Sequence, residues 1–327
     1  MVKKYFPGAN SGEGFYSRFG GIVPPVSRGH YTYILKGGPG VGKNTLMRKA
    51  AKRAVEKGYS VEEFRCASDP KSLDALRIES LNTVILDGTA PHSIDPCMPG
   101  ICDEIIDLGK FKNQAEFAER KDNVTKLFKE NKEHYRAAYA MLSAARLLKK
   151  EALDTSRECI SRDKLLSLIS RLASAKKQGA PRELFARSAT PDGVVDFSQS
   201  FLPENTVYFT GILGEVAMME AKEMLFYIGG EIYYDFIIPT LPRSIVFGDS
   251  AIAVCDEGDS LISLCSKELP PHVAFCNEKA EHLVNRATSL LSKALATHDK
   301  IEEIYRDYVD YDRVNEESKK LLCKIGL

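Results

Sequence analysis

Residues 31–57 read YTYILKGGPGVGKNTLMRKAAKRAVEK. Tyr31 to Leu35 are aromatic and β-branched, which predicts a strand. Thr45 to Lys57 set Leu46, Ala50 and Ala54 at helical spacing and stop at Gly58, which predicts a helix. Between the two stand Gly37, Gly38, Pro39, Gly40, Val41, Gly42, Lys43, Asn44 and Thr45. A phosphate-binding loop is written G-x-x-x-x-G-K-[ST], and its glycines let backbone N–H groups curl around phosphate oxygens. Gly37, Gly42 and Lys43 fill the required positions, and Gly40 adds freedom. The following helix aims its positive N-terminal end at the same anion. Lys43 is expected to set its ammonium against the β- and γ-phosphates of a nucleotide, with ATP as the expected ligand.

The position of the usual Mg²⁺-binding hydroxyl holds Asn44, whose amide oxygen can ligate a hard cation but with a different reach. Thr45 keeps a hydroxyl one residue on. Downstream, the apolar run Thr83 to Leu86 ends at Asp87-Gly88, where a carboxylate is expected to hold Mg²⁺ or its water shell. Lys43 and Asp87 are thus the candidate catalytic residues, and Asn44 and Asp87 the candidate Mg²⁺ ligands. No Glu follows Asp87, so the water-activating carboxylate of many ATPases is missing there. His92, Asp103 and Glu104 are weaker candidates, and a plain structural role is the expectation for each.

Working outward, 327 residues at about 100–200 per domain predict about two domains. Lys plus Arg and Asp plus Glu are 45 each, so the overall basic excess of many nucleic-acid-gripping chains is missing. No apolar run reaches membrane-spanning length, and the first residues lack the apolar stretch of a secretion signal. Eight cysteines without a CxxC pair read as the reduced thiols of a cytoplasmic protein.

The first thirty residues, rich in Gly and Pro, read as loop or short edge structure. Val61 to Cys66 reads as a strand, and Asp69-Pro70 as the opening of a helical turn through Leu76. Strand, helix, strand, strand at these lengths predicts an α/β fold of phosphate-loop type, a parallel sheet flanked by helices. From Lys110 to Gln178 there is neither Gly nor Pro, and apolar residues recur at helical spacing. A helical hairpin turning near Asp154 to Ser156 is expected over about 111–178, a long insertion in the first half. Arg120, Arg136 and Arg146 within it are candidates for closing over phosphates.

The second half carries echoes of the first. Asn205 to Thr210 parallels Tyr31 to Leu35, Gly211 to Gly214 parallels Gly37 to Gly40, Ile245 to Ala251 parallels Val84 to Ala90, and Glu303 to Arg306 parallels Glu133 to Arg136. The matches run in the same order, which predicts a duplication with halves 1–181 and 182–327. Val216 and Ala217 stand where a second Gly-Lys pair would, so the second half is not expected to bind ATP productively.

The stretches YFPGANSGEGFYS, LKGGPGVGKNTLMRK, LDGTAPHSIDPCMPGICDEIIDLG and HDKIEEIYRDYVDYDRVNE resemble an uncharacterised bacterial family of tandem phosphate-loop ATPases. The resemblance implies ATP binding and Mg²⁺-dependent hydrolysis; Asn44 and the Val216-Ala217 pair depart from its pattern. The loop GGPGVGKNT is also similar to that of nucleoside monophosphate kinases, which hold Mg²⁺ largely through water, so a phosphotransferase is the rival expectation. A third is a nucleotide-dependent switch that docks a protein partner through the helical segment or the second half.

Overall fold

The computed structural model describes residues 1–24, 29–90, 93–113, 118–172, 181–225, 230–255 and 267–327. In chain order the elements are β1 (Val2–Tyr5), β2 (Gly8–Ser11), β3 (Gly14–Ser17), β4 (Tyr31–Lys36), α1 (Lys43–Glu56), β5 (Val61–Arg65), β6 (Leu73–Ile78), β7 (Thr83–Asp87) and β8 (Asp103–Asp107). Then come α2 (Lys121–Ser156), α3 (Arg162–Leu172), β9 (Arg182–Phe185), β10 (Arg187–Thr190), β11 (Gly193–Asp196), β12 (Asn205–Thr210) and α4 (Gly211–Leu225). The chain continues with β13 (Glu231–Tyr234), β14 (Pro242–Phe247), β15 (Ser250–Cys255), α5 (Pro271–Arg306) and α6 (Tyr311–Lys324). The protein is α/β, and none of its described helices is long and apolar enough to cross a membrane.

The first sheet has the order β1-β5-β6-β7-β4-β8. It is mixed, not parallel: β4 runs parallel to β7 and β8, and β1 to β5, whereas β6 is antiparallel to both neighbours. The cause is the stretch expected to be a helical turn. Leu73 to Ile78 is buried at every position, the mark of a central strand covered on both faces. Its connections, residues 66–72 and 79–82, are too short for the crossover of a dozen or more residues that a parallel neighbour needs.

The first residues also differ from the loop expected of them. Gly12 to Gly14 form a hairpin turn, with Gly14 at φ 89°, and β2 pairs with both β3 and β10. Tyr5, Phe6, Ala9, Asn10 and Ser11 are fully buried. The resulting four-stranded sheet, β11-β10-β2-β3, is built from both ends of the chain's first two hundred residues.

The third sheet has the order β12-β15-β14-β13-β9. Along it the pairings run parallel, antiparallel, antiparallel, parallel, as they do from β4 through β7, β6 and β5 to β1.

Helix α2 has 36 residues, about 54 Å of rod. It ends at Ser156, inside the stretch where the turn was expected, and α3 begins after five intervening residues. Its buried stripe, Ala138, Leu142, Ala145 and Ala152, joins one core with α3, α4, α5 and the third sheet. The face of the first sheet that packs on α1 is closed by Val314, Leu321 and Leu322 of α6, together with Ile325. The first sheet is therefore covered in part by a helix that follows the third sheet in the chain, and the third sheet shares its core with a helix that follows the first.

Candidate functional site

Strand β4 lies between β7 and β8, so the loop that leaves it emerges beside the end of β7, with Leu35 level with Asp87. The loop needs glycine for its shape: Gly37, Gly40 and Gly42 have φ of 145°, 69° and 94°, left-handed values that L side chains rarely adopt. Val41 anchors it from below, fully buried against the α1 core. Pro39 and Gly38 are half-buried, and Thr45 points out at the exposed start of α1.

Lys43 folds back over the loop. Its Nζ donates to the carbonyls of Gly37 at 2.5 Å and Gly38 at 3.1 Å, and lies 3.5 Å from Asp87 Oδ2. The other carboxylate oxygen of Asp87 accepts from Thr89 N at 2.9 Å and Thr89 Oγ1 at 2.5 Å. Lys36 Nζ donates to Gly88 O and Ile94 O, which ties these two residues together beside the end of β7. The lysine and the carboxylate named from sequence are thus brought together.

Asn44 is placed differently from its expected role. Its Oδ1 accepts from Leu73 N at 3.2 Å and its Nδ2 donates to Ser72 Oγ at 3.0 Å. Both ends of the amide are engaged in holding the entry to β6, which turns the side chain away from its expected role toward Ser72 and Leu73. Among the described residues, no group of three or more His, Cys, Asp or Glu is placed to hold a metal ion.

Beside Asp87 lies Asp74, buried on β6. Burial, reinforced by the charges of Asp87 and Asp69, pushes its carboxyl up to about 7 against a bond with Cys66. Asp74 was not singled out from sequence, because an Asp inside LDALRI reads as a turn or helix residue.

The wall of the site that sequence reading missed comes from the junction of α5 and α6. Tyr311 Oη donates to Gly40 O at 2.8 Å. A Cβ on Gly38 would stand 2.8 Å from Tyr305 Cε1, and one on Gly40 would stand 3.2 Å from Arg306 Cγ. Both tyrosines lie in HDKIEEIYRDYVDYDRVNE, where aromatic residues every few positions were the available signal.

The remaining candidates have structural partners. Asp103 Oδ2 accepts from Cys97 N and Met98 N at 2.8 Å each, and Glu104 pairs with Lys324. Arg146 pairs with Glu13 at 2.7 Å, while Arg120 donates to Tyr308 Oη at 3.2 Å, beside the α5–α6 junction. Arg136 is exposed on α2. His92 lies outside the described residues.

In the second half β12 passes straight into α4 at Gly211, with φ 61° and no intervening loop. Gly211 to Gly214 form the first turn of that helix, and Val216, Ala217 and Met218 are fully buried. Glu215 beside them is held by Lys149 of α2 at 2.7 Å. No family model, curated protein or solved structure matches the chain.

Proposed function

We propose that the loop from Gly37 to Thr45 binds ATP and that the protein is a Mg²⁺-dependent phosphate-loop ATPase with one nucleotide site. One observation carries this reading: the Lys43 ammonium, held by the carbonyls of Gly37 and Gly38, stands 3.5 Å from the Asp87 carboxylate at a glycine-shaped strand-to-helix turn. Backbone N–H groups and the start of α1 would cradle the phosphates, and Lys43 would move from the loop carbonyls onto the β- and γ-oxygens. Asp87 fits a Mg²⁺ site, because its side chain stays partly exposed and Lys43, the cation beside it, stands 3.5 Å away, where it would move off as the phosphates bind. A bound Mg²⁺ supplies charge neutralisation at the departing phosphoryl group. The repeated pairing pattern of the first and third sheets, with a long helix after each, supports reading the fold as a duplicated phosphate-loop type whose second copy has lost its loop. Calorimetric titration with ATP, with and without Mg²⁺, tests this. In a folded Lys43→Ala protein, ATP affinity is expected to fall at least about tenfold, since charge-assisted bonds contribute about 1.5–3 kcal/mol. Unchanged affinity overturns the site.

The phosphotransferase reading is favoured by one observation, the engagement of Asn44 with Ser72 and Leu73. With that amide committed, Mg²⁺ would be reached through water, as in the kinase-like loop. Incubating the protein with ATP and a panel of nucleoside monophosphates, and analysing for diphosphate products, separates transfer from hydrolysis.

A further inference from the structure

We propose that Lys112 is a second phosphate-binding cation of this site, seated on the ring of Tyr305 so that it meets the terminal phosphoryl group of a nucleoside triphosphate. The inference rests on the nucleotide-binding reading and adds the residue that tells a triphosphate from a diphosphate.

Lys112 follows the short turn Gly109–Phe111 that leaves β8, the neighbour of β4 on the side away from Asp87. Gly109 packs against Gly37, with 3.2 Å between its would-be Cβ and Gly37 Cα. The segment is fixed by main-chain bonds to the α5–α6 junction: Asp310 N donates to Phe111 O and Asn113 N to Tyr308 O, each at 2.9 Å. Its lysine is therefore placed, not trailing in solvent. The Nζ stands 3.9 Å from the centroid of the Tyr305 ring and 3.4 Å from where a Cβ of Gly38 would be. An ammonium at that distance over an aromatic face is attracted by the ring quadrupole.

Lys112 and Lys43 flank the same stretch of loop, because Lys43 Nζ is bonded to the carbonyl of Gly38. Burial first, then the charge of Lys43, push the Lys112 ammonium below the ordinary lysine range. Two like charges held around one anion-shaped loop disfavour each other until an anion lies between them. The position along the loop assigns the phosphate. The N-terminus of α1, at Lys43, receives one end of the polyphosphate, and Gly37-Gly38 at the loop's entry face the other end, where Lys43 reaches for the β- and γ-oxygens. Lys112 beside Gly38 thus adds its charge where ATP has a phosphoryl group and ADP has none.

The test uses the full chain and two ligands, ATP and ADP, titrated calorimetrically. Lys112→Met keeps the aliphatic stem on Tyr305 and removes the charge. It is expected to weaken ATP about tenfold, the effect of losing one charged hydrogen bond, and to leave ADP within about twofold. Lys112→Arg, which restores the charge, is expected to recover most of the ATP affinity. If Lys112→Met weakens ATP and ADP equally, or neither, the proposal is overturned and Lys112 only holds the α5–α6 junction in place. A Lys43→Ala protein separates the two levels of the reading. Lost ATP binding there, with an unaltered ATP-to-ADP preference in Lys112→Met, overturns the role of Lys112 alone; retained ATP binding in Lys43→Ala overturns both.

Discussion

Arg182 and Glu62 are joined through two parallel N–H···O bonds of 2.9 Å, and they stand on strands of different sheets. The guanidinium also donates to Gly21 O at 2.7 Å and to Glu231 Oε1 at 3.1 Å, and lies over the rings of Tyr5 and Phe64. Here the outer strands β1 and β9 meet, with Phe6 and Phe185 exchanging main-chain bonds of 3.0 Å. The pair is the charged seam between the two larger sheets. Removing Arg182 would leave Glu62 with Arg77, 3.3 Å away, as its remaining close cation, and stripping a part-buried charge of its best hydrogen bonds costs about 1–3 kcal/mol. Arg182→Met is expected to lower unfolding stability by that order in urea titrations. An effect below about 1 kcal/mol, the level of an exposed pair, would show the seam to be solvated.

The same pair sets an acid limit. Burial raises the Glu62 pKa, but the charge and bonds of Arg182, aided by Arg77, outweigh it and hold the carboxyl below its ordinary value. A depressed folded-state value contributes stability above the unfolded pKa, and that contribution is lost as pH falls through the folded one. Glu62→Gln is therefore expected to be clearly less stable than the parent at pH 7, with the gap closing as the pH drops below the ordinary glutamate range. Thermal melts of both proteins along a pH series check this; a gap independent of pH refutes it.

One nucleotide per chain is the expected stoichiometry. Strand β12 enters α4 without a loop, and Val216, Ala217 and Met218 fill the core where a phosphate-facing lysine would have to emerge. Calorimetric titration should give a ratio near one, falling to none in Lys43→Ala. A ratio near two, reduced to one by that substitution, would place a working site in the second half.

Asn44→Ser is expected to act on two properties in opposite directions. Losing the bonds to Ser72 and Leu73 removes two contacts worth about 0.5–1.5 kcal/mol each, so the melting temperature should fall. The hydroxyl left behind suits Mg²⁺, whose geometry is strict, so Mg²⁺-dependent hydrolysis should rise while ATP affinity stays within a few-fold. An unchanged or lower rate would mean that the metal is reached through water, and would move the phosphotransferase reading ahead of the ATPase.

What could be read from sequence divides by the range of the interaction. YTYIL, TLMRKAAKRAVEK and TVILD are each complete within a short window, and they became β4, α1 and β7 at nearly the expected bounds. The lysine–carboxylate pair followed from them. LDALRI fits either periodicity, and only its two flanking strands decide that it is extended. The partner of β1 lies in β5, and β10, which joins the β2–β3 hairpin to a sheet, lies nearly two hundred residues on, so a local window could not show that those residues are buried.

The internal echoes of the sequence do not all fall on strands and helices of matching place. Ile245 to Phe247 looks like Val84 to Leu86, yet it belongs to β14, while β15 takes the place beside β12 that β7 takes beside β4. Glu303 to Arg306 closes α5, whereas Glu133 to Arg136 lies inside α2. Short β-branched runs are interchangeable in composition, and strand order is not. Lys112 carried no signal at all, since a lysine in GKFKN gains its meaning from Tyr305 nearly two hundred residues later.

The closing of the α1 face by α6 has a consequence for the order of events during synthesis. When a ribosome has released residues 1–181, every strand of the first sheet exists, but the apolar surface around Leu46, Met47 and Ala50 still awaits Val314, Leu321 and Leu322. The stripe of α2 likewise has neither α4 nor α5 to lie on until residues 211–306 have been made. A nascent first half must carry the α1 surface uncovered for the time needed to add about 140 residues, and the α2 stripe for up to about 125, at some 5–20 per second. Protection of those surfaces by a chaperone, or a slow final step in refolding as the distant contacts close, is what such an interleaved chain demands.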